Sequence, residues 1–127
     1  MTALLRPPPD PWPLEDALRA GAPRRIGRAL AGVEQHLREH YKAAHGSGGL
    51  LADGDRTRPA LERHEDRLLD EMAHLLRRAG RLVRRFERGS APDGDVRELV
   101  TGLRRLRDGE AALAQEAALG GDLGAGD

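Results

Sequence analysis

The chain contains no cysteine, which excludes disulfides, thiolate metal sites and cysteine nucleophiles. Aromatic residues are almost as scarce: Trp12, Tyr41 and Phe86 are the whole set in 127 residues. A core must therefore be assembled from Leu, Val and Ala, and there is no aromatic series on which nucleic-acid bases could stack. Lysine is nearly missing too. Of 21 basic residues only Lys42 is lysine and the rest are arginine; with the abundance of Ala and Gly, this fits a GC-rich coding sequence better than selection for arginine chemistry. The 21 acidic residues balance the basic ones, so no global positive excess draws nucleic acid or anionic lipid. No run of 18 apolar residues occurs and the N-terminal segment lacks a continuous apolar stretch. No membrane partner is expected, and the cytoplasm is the expected location. Sustained period-two alternation is absent and β-branched residues are few, which leaves no strand signal. Ser47 and Ser90 have no paired His and Asp pattern, and the glycine-rich stretches follow helical segments rather than strands. Neither a P-loop nor a dinucleotide fingerprint is present, and no enzyme activity is expected.

What is present is helical periodicity. The length suits one domain, and a domain of about 150 residues buries roughly 70% of its unfolded surface, enough for a modest core. Residues 1–13 carry Pro7, Pro8, Pro9, Pro11 and Pro13 and read as an extended arm contributing little to stability. The helical bundle is expected over 14–121. A short helix fits 14–20, ending at Gly21 and Pro23. From Arg24 to about Ala44 the apolar positions Ile26, Leu30, Val33, Leu37, Tyr41 and Ala44 follow the spacing of one helix face. Gly46 to Gly49 should end that helix, and 46–58 reads as a polar loop. A second long helix is expected from Pro59 to about Arg88, Pro59 being well placed for a first turn. A third runs from about Asp95 to Leu119. Gly120 and Gly121 are expected to stop it, leaving 122–127 as a flexible glycine-rich tail.

Three ionisable residues fall on the wrong face. At about 100° per residue, His40, Glu65 and Glu110 lie within roughly 40° of the apolar axes of three different helices. A buried charge costs several kcal/mol unless it is paired or neutralised. Helix bundles build metal sites from inward-facing His and Glu on facing helices, so convergence of these three would form a polar cluster or hold one divalent metal. His36 stands four residues before His40 and shares its face, a spacing that can clamp a metal. Each also has a plainer reading: His40 as a hydrogen-bonded core histidine, Glu65 as a boundary carboxylate paired with an arginine, Glu110 as a glutamate reaching water near a helix end. His64 falls on the flank of the stripe, His74 points away, and His45 is near a helix C-terminus, where positive charge is favourable. The arginine runs Arg77-Arg78, Arg81, Arg84-Arg85, Arg88 and Arg104-Arg105, Arg107 are interspersed with Asp and Glu. They read as solvated helix faces, and no nucleic-acid partner is expected.

Several segments resemble one family. Leu37-Arg-Glu-His40-Tyr41-Lys-Ala-Ala, the following Gly48-Gly-Leu-Leu51, and Leu61-Glu-Arg-His64-Glu65-Asp-Arg-Leu68-Leu69 resemble the small bacterial haemerythrin-like (HHE cation-binding) proteins. So do Glu110, Leu113, Gln115-Glu116-Ala117 and the tail from Asp122 to Asp127, the most specific part of a likeness that covers about residues 30–127. The resemblance implies a four-helix bundle in which histidines and carboxylates hold a non-haem di-iron centre. It implies His-x-x-x-Glu in two helices, a histidine in the helix between, and one in the first helix. His40 and Glu110 match. The glutamate expected after His40 falls at Ala44, the histidine expected before Glu110 falls at Leu106, and His64-Glu65 reverses the family's Glu-His order. No histidine precedes His36. The likeness therefore implies a degenerate member.

The fold expected is all-α, an up-down bundle of three long helices with a short N-terminal helix making an incomplete haemerythrin-like four-helix bundle. Two functional readings follow. One is a haemerythrin-like protein with a degenerate site at His40, Glu65, Glu110 and His36, binding iron or another divalent metal. The other binds no metal and is an interaction or scaffold module. A homodimer is compatible with three apolar stripes that leave surface to cover, and any protein partner is unspecified.

Overall fold

A computed structural model describes residues 9–46, 59–89 and 92–125. The expectations for residues 1–8 of the arm, the polar loop 47–58, Ser90 and residues 126–127 of the tail lie outside the described residues. Four helices follow in order: α1 (Trp12–Ala20), α2 (Pro23–Gly46), α3 (Pro59–Glu87) and α4 (Asp93–Ala125). They form an all-α up-down bundle. α1 packs on α2 and α4, α2 on α3, and α3 on α4. Among the described residues the backbones of α2 and α4 make no close approach, so these two face each other across the diagonal.

α1 begins two residues earlier than its periodicity suggests, and the reason is local. The Asp10 carboxylate accepts the Trp12 backbone N–H at 2.9 Å, doing for the first turn what a capping side chain does. Pro13 falls in that first turn, where its missing N–H is not needed. The helix ends at Gly21, which has φ 62°. Its N–H donates to the Leu18 carbonyl at 3.1 Å, and the Ala22 N–H donates to Ala17 at 3.4 Å. An L-residue with a side chain would be strained by about 1–2 kcal/mol in this left-handed conformation. Pro23 then opens α2 directly, so α1 folds back along it.

The described part of the arm is docked, contrary to expectation. Pro9 and Pro11 are buried, and Leu14 and Ala17 enter the core. Burying Leu14 alone is worth about 1.5–3 kcal/mol. Three ion pairs guide the docking: Asp16 with Arg25 at 2.6 Å, Asp10 with Arg107 at 3.4 Å, and Glu15 with Arg104. Each is solvent-exposed and adds about 1 kcal/mol or less. Trp12 is 53% exposed, with the Arg19 guanidinium 5.4 Å from its ring centre.

α3 and α4 approach closely because glycines stand where the partner's leucines project. A Cβ on Gly102 would run into the Leu75 side chain, and one on Gly109 would lie 2.6 Å from Leu68. The leucines are seven residues apart and so are the glycines, in opposite order, as antiparallel knobs-into-holes packing requires. On the other side, the Phe86 ring lies 3.1 Å from where a Gly27 Cβ would be. α4 does not stop at Gly120 and Gly121 but continues to Ala125. Glycine weakens a helix by about 1 kcal/mol relative to alanine yet keeps its N–H; no proline follows to break the ladder. Among the described residues no helix is long and apolar enough to cross a membrane.

Candidate functional site

Among the described residues every large side chain of the core is apolar with three exceptions: His40 at 2% exposure, Glu65 at 7% and Glu110 at 0%. These are the three residues that helical phase turns inward, one on each long helix. Two of them meet. His40 Nε2 lies 2.8 Å from Glu110 Oε1 and 3.0 Å from Oε2. The contact spans the bundle diagonal from α2 to α4, where no backbone contact exists. A carboxylate only accepts, so with Glu110 ionised Nε2 carries the proton and donates.

Along their own helices the neighbours of the pair are apolar. Leu37 and Ala44, one turn either side of His40, are buried, as are Leu106 and Leu113, about one turn either side of Glu110. The other ring nitrogen, His40 Nδ1, is buried without a hydrogen-bond partner. In an uncharged ring it is an acceptor lacking a donor, and in a charged ring a donor lacking an acceptor. Either orphan costs about 1–3 kcal/mol. Neither His40 nor Glu110 lines the surface grooves between α1 and α2, α1 and α4, α3 and α4 or α2 and α3. Both side chains are closed off from solvent.

Glu65 is buried and partnered on the α3 stripe with Leu61, Leu68 and Met72. His36 is exposed and lines the groove between α1 and α2, one turn from His40 but outside the core. His64 Nδ1 donates to Glu116 Oε2 across α3 and α4 at 3.0 Å. His45 is exposed and its ring meets Tyr41 edge-on at 4.4 Å; His74 is exposed as well.

These donors do not fit a di-iron centre. Such a centre needs several imidazoles and carboxylates converging on one cavity. Among the described residues no three His, Asp or Glu side chains are placed to hold a metal ion. Nε2 of His40 is engaged by both oxygens of Glu110, no carboxylate or second imidazole among the described residues joins its free Nδ1 in a metal-holding group, and Ala44 and Leu106 put hydrocarbon where the resemblance would require ligands. What the arrangement can do is hold α2 and α4 in one register. The side chain that sequence reasoning missed is Asp10, which starts α1 and reaches Arg107; the signal was there in Asp10-Pro11-Trp12-Pro13, an acceptor just ahead of a proline-permitted first turn. No family model, curated protein or solved structure matches this chain.

Proposed function

We propose that this chain is a metal-free helical bundle acting as a cytoplasmic interaction or scaffold module, a haemerythrin-like design in which the ligand pair has become a structural hydrogen bond. The observation that carries this reading is the closure of Glu110 on His40 Nε2 across the diagonal, with buried leucine and alanine one turn away on both helices. Such a buried polar contact is a registry device. Its directionality favours one pairing of α2 with α4 over the slipped alternatives that leucine packing alone would tolerate. It leaves the working chemistry to the surface, and no catalytic residue is assigned.

The surface offers a place for a partner. A groove of about 630 Å³ runs between α1 and α2, with Trp12 on its rim and Ala17, Ala29 and Val33 along its floor. Trp12 and Leu119 are the large apolar side chains left exposed among the described residues. Tryptophan is enriched among residues that dominate binding energy.

The test is thermal melting with and without excess ferrous iron under nitrogen, with zinc and manganese as further arms. A ligand bound only by the folded state raises stability in proportion to the logarithm of its concentration over Kd, about 2.7 kcal/mol at a hundredfold excess. Unchanged melting in all arms is the expected result. A concentration-dependent rise with iron that disappears in His40→Leu would overturn the reading.

A further inference from the structure

We propose that the groove between α2 and α3 is a binding site for a chain of phosphates, such as an inorganic polyphosphate or the triphosphate of a nucleotide. Its walls are Arg77, Arg81 and Arg84 from α3 and Arg38 from α2, and it encloses about 350 Å³. The size is at the small end of ligand clefts, which run from about 300 to 1,000 Å³.

The sequence places these arginines. Positions 77, 81 and 84 follow i, i+4, i+7 spacing, so they form one stripe, along the edge of α3 that meets α2. The floor is made by an absence. Gly80 has no side chain, and Glu34 Oε2 and Arg84 Nη1 lie 2.8 and 3.4 Å from where its Cβ would be. A larger residue there would fill the groove.

Charge decides the ligand. Four guanidinium groups face one carboxylate, Glu34, leaving three positive charges in excess. Glu34 is already engaged by Arg38 at 3.2 Å. Elsewhere α3 pairs its arginines across to α4, Arg78 with Glu98 and Arg85 with Asp95. Arg77, Arg81 and Arg84 have no ion pair or hydrogen bond among the described residues. Guanidinium forks match phosphate oxygens two at a time, and converging unpaired ones favour a multivalent anion over a single carboxylate. The groove has no aromatic side chain on which a base could stack, so the phosphate chain itself is the recognised element.

Isothermal titration of the full chain with inorganic tripolyphosphate, ATP and sulfate tests this at physiological salt, where the Debye length is about 8 Å. Tripolyphosphate and ATP should bind one per chain with similar affinity, and sulfate far more weakly. Arg81→Ala with Arg84→Ala should weaken both by more than about tenfold, since a hydrogen bond to a charged group is worth that much or more. Both residues are exposed, so the variant should keep its helical spectrum. Arg105→Ala, an exposed arginine on α4 outside the groove, should bind as the parent does. Absence of tripolyphosphate binding overturns the proposal. So does equal weakening by Arg105→Ala, or ATP binding much tighter than tripolyphosphate. The site is separate from the His40–Glu110 pair, so its failure leaves the metal-free reading standing, and the converse holds.

Discussion

Replacing His40 and Glu110 singly and together is the perturbation whose outcome the structure specifies best. In His40→Leu the Glu110 carboxylate stays at 0% exposure and loses both its contacts. Breaking a buried pair by removing one partner costs about 3–5 kcal/mol. Glu110→Met strands the imidazole in the same way, with a second nitrogen joining the Nδ1 that is already unmet. A single domain of this kind is stable by about 5–15 kcal/mol, so each single variant should lose a large fraction of its margin. With m near 2 kcal/mol/M, the urea midpoint should fall by about 1.5–2.5 M. The double variant should behave otherwise. Leu and Met approximate the volumes removed, and the surroundings are already leucine and alanine. Apolar replacement of both partners is neutral or stabilising by up to about 4 kcal/mol. The departure from additivity should therefore exceed about 3 kcal/mol, well beyond what unconnected sites show. His40→Gln is the control, since its amide can still donate to Glu110, and it should cost less than His40→Leu. Urea unfolding followed by far-ultraviolet circular dichroism gives all four values. A double variant as unstable as the sum of the singles would refute the reasoning, because the pair would then be held by something beyond mutual desolvation and hydrogen bonding.

Gly102→Ala and Gly109→Ala should be neutral to destabilising by about 2 kcal/mol, because overpacking costs about 1–3 kcal/mol and the gain in helix propensity offsets only about 1. Gly32→Ala, with nothing within 4 Å of the added Cβ, should stabilise by about 0.5–1 kcal/mol in the same unfolding assay; destabilisation there would contradict the open space seen around it. Deleting residues 1–10 should lower the melting temperature, since it removes buried Pro9 and the Asp10 acceptor, and loss of a helix cap alone costs about 0.5–2 kcal/mol. An unchanged melting temperature would mean that the docked arm contributes nothing.

Much of this fold is legible in the spacing of apolar residues. The 3.6-residue period locates the four helices within a few residues, and it turns His40, Glu65 and Glu110 inward, where the structure has them. Phase says which way a side chain faces but not whom it meets. That His40 pairs with Glu110, across the diagonal, depends on the register of four helices at once, which Leu68 and Leu75 set against Gly109 and Gly102 on one side of the bundle. His36 shows the same limit from the other side: sharing a helical face with His40 does not bring it inside, because one turn away α1 leaves an open groove. The start of α1 was hidden by its prolines, which mask a side-chain acceptor at Asp10. α4 runs past Gly120 and Gly121 because two glycines lower helix stability without removing a hydrogen bond.

The most direct test of the central claim, that the buried pair is structural and holds no metal, is a metal count. The protein is incubated with excess ferrous iron under nitrogen, desalted, analysed for iron and scanned for the near-ultraviolet absorption of an oxo-bridged iron pair after admission of air. Iron far below one atom per chain, with no such band, is the expected result. Iron close to two atoms per chain, with that band and with both lost in His40→Leu, would contradict it.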